Sequence, residues 1–250
     1  MKIQREFELA AEVQRSMLPD TVPTASGYSF WAWWQPWSHV GGDIYDFHTL
    51  PSGEIIMLVG DVAGKGLAAA LGMASLAGMV PLALEQTGAD LTRFASALNR
   101  SFFRWASRAN MFATLLAAAL DPVAHQLGVL SAGHGSGLIR RKDGTLEDLY
   151  PIEQTGLPLG VSGESSYEAV RFEMNPGDAV VITSDGVMNA VNATGEEYGI
   201  PRLKEVLACT EPHAGRLGEA VLAGVNAFTG GRQMEDDVVV VCFAREPDHL

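Results

Sequence analysis

The sequence is poor in positive charge. Lys and Arg total 17 against 30 Asp and Glu, leaving a formal net charge of −13. That balance argues against general nucleic-acid binding, where clustered cations must displace the counterions of phosphate. It argues equally against anionic membrane surfaces. Soft metal ligands are scarce too. The two cysteines, Cys209 and Cys242, lie far apart and fit no zinc spacing. Cys242 sits in a Val-rich run and reads as a buried thiol, with no disulfide expected in a reducing compartment. The opening MKIQREFELAAE is charged and amphipathic, without the apolar stretch of a signal peptide. One long stretch lacks charge, Leu67 to Leu84, LAAALGMASLAGMVPLAL. Its length approaches the roughly 20 residues of a membrane span. Yet it is rich in Ala, Gly and Ser, contains Pro81 and has no basic or aromatic flanks, so a buried helix is expected. The expected setting is cytoplasmic, with neither nucleic acid nor membrane as partner.

What is present is a globular balance, 47% apolar and 19% charged, enough for an ordered core. Lys2 to Leu18 carries a helical stripe at Ile3, Phe7, Ala10, Val13 or Gln14, and Met17, stopped by Pro19. Residues 1–19 are read as a linker or regulatory helix. It either packs on its own domain or joins an upstream sensory module or a second copy as a homodimer. Strand-like runs follow at Tyr28–Gln35, Asp43–Leu50 and Glu54–Val62, the last two joined by the turn Pro51-Ser52-Gly53. Helices are expected from Gly66 and over Leu91–Ala106. Strands return at Phe112–Leu120, Gln126–Ser131, Gly137–Arg141, Leu146–Tyr150, Tyr167–Met174 and Ala179–Thr183. Helices over Ile200–Ala208 and Arg216–Ala227 precede a closing strand, Val238–Ala244. Hairpin-linked strands with inserted helices predict an α+β fold of two stacked antiparallel sheets with helices outside, one domain over 20–246. Trp31, Trp33, Trp34 and Trp37 are expected in the core and on sheet faces.

The acids carry the functional signal. Asp43, Asp61, Asp185 and the pair Asp236-Asp237 each flank an apolar strand beside glycine or valine. Singly, each is ordinary turn chemistry. Four strand ends meeting on one edge of a sandwich would crowd carboxylates that raise one another's pKa, and divalent cations would relieve the repulsion. Hard oxygen donors without a His-Cys set favour Mg²⁺ or Mn²⁺ over Zn²⁺. Two such ions lower the pKa of a shared water and neutralise phosphoryl oxygens, so hydrolysis of a phosphate ester is the expected chemistry.

Six motifs in order strengthen that reading: VGGDIYD (Val40–Asp46), GDVAGKGLAAAL (Gly60–Leu71), SAGHG (Ser131–Gly135), GLPLG (Gly156–Gly160), GDAVVITSDGVMNA (Gly177–Ala190) and EDDVVVV (Glu235–Val241). Together they resemble the metal-dependent PPM/PP2C-type protein serine/threonine phosphatases, in their bacterial SpoIIE/RsbU-like branch. ELAAEVQRSMLP (Glu8–Pro19) is similar to the helix that joins sensory domains to this branch. The resemblance implies a PP2C-like β-sandwich flanked by helices and two Mn²⁺ or Mg²⁺ ions. It implies a phosphoserine or phosphothreonine substrate on an anti-sigma-factor antagonist. It makes Asp43, Asp61, Asp185 and Asp236 the metal-site carboxylates, acting through a metal-activated water, with the Val62 backbone carbonyl assisting and Asp237 as the alternative to Asp236. Asp46 is assigned a structural or supporting place.

Several positions depart from the family pattern. Val238 and Val239 follow the last acids where Thr is usual, and Gly135 replaces Pro after His134. No Arg stands near Asp43 to hold phosphate, leaving His39 as a substitute. His134 is read chiefly as a turn residue and secondarily as a general acid, and Lys65 as offsetting carboxylate charge or touching phosphate. Gly41-Gly42-Asp43 also resembles the GGDEF signature of diguanylate cyclases, but Ile44-Tyr45 breaks it and no further motif supports it. The remaining alternative is a catalytically weak PP2C-like domain that binds a phosphoprotein as a scaffold.

Overall fold

Val238 to Arg245 is apolar at seven consecutive positions, a pattern expected of a strand buried on both faces. A computed structural model, which describes residues 2–135 and 137–247, shows why. This strand, β10, has Val239, Val241 and Phe243 turned toward a second sheet and Val238, Val240 and Cys242 toward helices. Among the described residues ten strands form two antiparallel sheets of five. One has the order β1-β10-β9-β6-β7, built from Tyr28–Gln35, Val238–Arg245, Ala179–Thr183, Gly137–Arg140 and Leu146–Asp148. The other has the order β2-β3-β4-β5-β8, built from Asp43–Thr49, Ile55–Val62, Ala113–Asp121, Gln126–Ala132 and Val170–Glu173.

Three apolar layers hold the molecule. Between the sheets lie Ile55, Met57, Val59, Leu116, Ile182 and Phe243. On the outside of the second sheet, α2 (Gly66–Thr87) and α3 (Leu91–Ala109) bury Leu76, Phe94 and Phe102 against Ile44 and Leu58. On the outside of the first, α5 (Gly199–Cys209) and α6 (Ala214–Thr229) bury Leu203 and Val221 against Val181 and Val240. The α-β-β-α sandwich is therefore the expected one. The charge-free segment lies within α2, a helix long and apolar enough to cross a membrane by composition. Its buried residues Ala69, Met73, Leu76, Val80 and Leu84 recur at helical spacing on one side.

Several elements differ from expectation. The first helix, α1 (Lys2–Arg15), ends before Leu18. Its inward side is Phe7, Ala10, Gln14 and, just beyond the helix, Leu18, while Ile3, Val13 and Met17 of the anticipated stripe are exposed. β7 stops at Asp148 and β8 is confined to Val170–Glu173. A one-turn helix, α4 (Asp185–Met188), follows β9 where only a turn was expected. Trp33 and Trp37 are 44% and 40% exposed, so they are not core residues. The period-2 alternation of β1 turns Trp33 toward α6 and out to its edge, away from the inter-sheet layer that Trp34 joins.

Candidate active site

Strand periodicity decides where the acids point. Asp61 is on the same face of β3 as Met57 and Val59, so it emerges between the sheets at their open end. Asp43 opens β2 directly opposite Asp61 in the ladder, where facing Cβ atoms are about 4.5–5.5 Å apart. Asp46 lies on the other face of β2; its Oδ2 meets His48 Nε2 at 2.7 Å and its Oδ1 accepts the Phe47 N–H. It does not join the others.

The first sheet supplies the remaining acids. Ser184 caps β9 and stitches it to β10: its N–H donates to the Val239 carbonyl (3.0 Å), and its Oγ accepts from Val239 N–H (2.9 Å) and donates to the Asp237 carbonyl (3.3 Å). That stitch sets Asp185 beside Asp236 and Asp237. Asn189 Nδ2 donates to Asp185 Oδ2 at 3.2 Å. The two neighbouring acids have different surroundings. The Asp237 carboxylate accepts backbone N–H groups of Trp37 (2.7 Å), Gly42 (2.6 Å) and Asp43 (3.3 Å), tying the Gly41–Asp43 loop to the other sheet. Asp236 is partly exposed and pairs with Lys65 Nζ at 3.0 Å, while Lys65 also donates to the Glu235 carbonyl (2.8 Å). Lys65 therefore offsets carboxylate charge.

Glycine is required where these strands touch. A Cβ on Gly41 would strike the Asp237 carboxylate, and one on Gly42 would lie 2.7 Å from the Val62 carbonyl oxygen and 3.4 Å from Asp61 Oδ1. Trp34 Nε1–H holds the Asp43 carbonyl at 3.0 Å from behind.

The electrostatics follow from this crowding. Asp43 is 2% exposed, and its Oδ2 has no hydrogen-bond partner. Burial, then the charge of Asp61, push its pKa well above the usual carboxylate range, against a smaller opposite effect of the Ser184 hydroxyl. Asp61 is pushed up to about 6, first by burial and then by Asp185, Asp236 and Asp237. Asp185 is raised by burial and Asp236, with Lys65 and Asn189 opposing. Among the described residues no three His, Cys, Asp or Glu side chains are drawn tightly enough to enclose an ion. What they share is one edge of the sandwich with an excess of negative charge. The donor chemistry suits a hard divalent cation, and the orphaned Asp43 oxygen has a vacant lone pair for one.

His134 is elsewhere. Its ring lies between Thr114 Oγ1 (Nδ1, 3.1 Å) and the Thr183 carbonyl (Nε2, 2.9 Å), tying the turn after β5 to the end of β9. Nε2–H donates to the carbonyl, so Nδ1 accepts from the hydroxyl. Burial pushes its pKa down to about 4. A buried ring with both nitrogens engaged by the fold favours the structural reading of His134 over the general-acid one. His39 faces α1, with Nε2 2.9 Å from Gln4 Nε2 and its ring 5.5 Å from Phe7.

The role of one residue, read from the sequence only as an alternative to Val13 in the helical stripe, escaped that reading. Gln14 is buried, and its side-chain amide clamps the Gly41 backbone: Nε2 donates to the Gly41 carbonyl (2.6 Å) and Oε1 accepts the Gly41 N–H (3.0 Å). The available signal was a polar residue seven positions after Phe7, in register with the apolar stripe.

Comparison with known proteins places this geometry. The family described as Stage II sporulation protein E (SpoIIE) matches residues 51–246. The phosphoserine phosphatase RsbU of Bacillus subtilis (strain 168) is 32% identical over 212 residues, covering 84% of this chain and 62% of its own length. The chain thus spans less than two thirds of that relative. Among solved structures, the SiaA-PP2C domain of Pseudomonas aeruginosa superposes with a TM-score of 0.83 at 21% identity, covering 97% of each chain. RsbX in complex with magnesium gives a TM-score of 0.64 at 16% identity, covering 89% of this chain and 98% of its own. At these identities the two structures establish the fold.

Proposed function

The chain belongs to the SpoIIE family and carries the PP2C fold, and from that premise we propose that it is a metal-dependent protein serine/threonine phosphatase. The observation that carries the reading is the buried Asp43 carboxylate, unpartnered at Oδ2 and opposed by Asp61, with acids of the other sheet at the same edge. The relative named a phosphoserine phosphatase and the neighbour solved with magnesium support the same chemistry.

Asp43, Asp61, Asp185 and Asp236, with the Val62 carbonyl, would hold two Mn²⁺ or Mg²⁺ ions. When bound, such ions supply an activated water and neutralise charge on the phosphoryl oxygens. What favours Asp236 over Asp237 is that the Asp237 carboxylate already accepts three backbone N–H groups. Asp237 then acts as the tether that holds the Asp43 loop. Asn189 orients Asp185, and Lys65 balances the charge of Asp236 at the mouth. With His134 neutral and buried, the leaving serine oxygen takes its proton from solvent. The substrate is a phosphoserine or phosphothreonine on a partner protein of the anti-sigma-factor-antagonist kind, in the cytoplasm. Residues 20–246 form the phosphatase domain. Residues 1–19 act as a regulatory helix for an upstream sensory domain or a second copy, and the clamp of Gln14 on Gly41 gives that helix a direct link to the Asp43 loop.

The test is hydrolysis of p-nitrophenyl phosphate and a phosphoserine peptide across a Mn²⁺ titration, with Asp61→Asn and Asp185→Asn alongside. Turnover that needs metal and collapses in both variants is expected. Metal binding without turnover in the wild type would instead favour the phosphoprotein-binding scaffold.

A further inference from the structure

Beside the carboxylates lies a surface that their chemistry does not use. Trp37 sits at its inner end: its N–H donates to Asp237 Oδ1, and Lys65 Nζ lies 5.5 Å from its ring centroid while pairing with Asp236. From there two adjoining cavities, of about 410 and 360 Å³, run outward and share Gln35, Gln233 and Met234. The outer cavity lies between β1 and α6, with Trp33 on one wall and Arg232 at its rim. Gln233 Nε2 reaches the Trp37 carbonyl at 3.4 Å, joining the two parts.

Two properties set this groove apart. No Asp or Glu lines either cavity, although the chain carries 30. It also presents two large half-exposed indoles, the side chains best suited to anchor a partner at low entropic cost. β1 is the outer strand of its sheet, so one row of its backbone groups points away from β10. An edge strand with alternating side-chain pockets is a surface to which an extended segment can add.

We propose that this groove docks the polypeptide flank of the phosphorylated residue, an extended segment carrying an apolar anchor for Trp33 and an acidic side chain for Arg232. The inference rests on the phosphatase reading and specifies its substrate. Its charge logic is direct. A phosphoprotein segment is anionic, the chain as a whole repels it, and this acid-free path is continuous with the carboxylate cluster through Trp37. Substrate choice is then made along the groove, and the phosphoryl chemistry at its inner end.

The experiment uses the full chain with Mn²⁺. p-Nitrophenyl phosphate is assayed first. Phosphoserine peptides of about twelve residues with randomised flanks follow, with consumption read by mass spectrometry. Fast members are expected to share an apolar residue and an acid on one flank. Trp33→Ala should reduce the apolar preference about fivefold or more, the loss typical of a buried anchor. Arg232→Glu should exchange the acidic preference for a basic one, a change that misfolding cannot produce. Turnover of p-nitrophenyl phosphate with no flank preference, or with one that both variants retain, overturns the groove assignment alone. So does a wild-type dimer that Trp33→Ala dissociates in sedimentation, since a second copy would then cover the groove. No p-nitrophenyl phosphate turnover at all removes the phosphatase reading, and the groove's role with it.

Discussion

Asp61 is buried at the edge of the sandwich beside Asp185, Asp236 and Asp237, and the cost of that burial and crowding has a definite sign. Its pKa rises from 3.8 unfolded to about 6 folded, so its contribution to stability is full below pH 4. That contribution is lost as pH rises through about 6, an effect on the order of 1–3 kcal/mol. In EDTA the wild type should melt at progressively lower temperature between pH 4 and 7. Asp61→Asn should flatten that decline and melt higher at pH 7 while losing phosphatase turnover. Scanning fluorimetry across the range checks it, and superimposable profiles for the two proteins would refute the repulsion. His134 makes a contrasting case. Truncation to Ala strands the Thr183 carbonyl and the Thr114 hydroxyl, a loss of roughly 1–3 kcal/mol in urea unfolding. The shape of the pH profile of kcat/KM near neutrality should not change, because burial holds the ring's pKa down, to about 4. A basic limb that vanishes in His134→Ala would restore the general acid.

At the scale of elements, α1 is the helix whose hydrogen bonds reach the loop carrying Asp43. Gln14 satisfies both backbone groups of Gly41, the residue whose Cβ would collide with Asp237. Gln14→Ala leaves that buried N–H and C=O without partners, costing about 1–3 kcal/mol locally. The loop should respond before the domain unfolds. Faster proteolysis within α1 and a several-fold higher Mn²⁺ requirement are expected, with the global unfolding midpoint much less affected. An unaltered Mn²⁺ requirement would reduce α1 to packing. The same helix shows where sequence reading runs out. Its apolar period was legible, yet Val13 and Gln14 compete for one place in the stripe, and hydropathy cannot recognise a Gln buried because it bonds a backbone. Strands were easier: β3, β9 and β10 are buried on both faces, so their apolar runs stand out. Turns such as Asp143-Gly144 mark the hairpins. The one-turn helix α4 is too short to leave a period, and the Trp residues of β1 looked like core because composition does not say which side of an edge strand is covered.

For the whole molecule, what local pattern could not supply was pairing. β1 lies against β10, joining the two ends of the chain, and β2 lies in the other sheet. No turn signal specifies either, whereas both follow once three apolar layers must be filled. The six motifs single out the acids; only the sandwich shows that they come from different sheets. Asp43 and Asp61 belong to one, Asp185 and Asp236 flank strands of the other, and Asp237 is a polar link between them through the Gly42 and Asp43 N–H groups. Divalent ions shared by that set would couple the sheets, stabilising the folded chain by RT ln(1 + [L]/Kd). Hydrogen exchange with and without Mn²⁺ should then show protection rising together at the Asp43 end of β2, the Asp61 end of β3, the end of β9 and the start of β10. In Asp185→Asn the gain should shrink in both sheets at once, because the deleted charge belongs to a site neither sheet forms alone. Protection confined to β2 and β3 would mean that one sheet binds the ion unaided, and the acids of β9 and β10 would need another purpose.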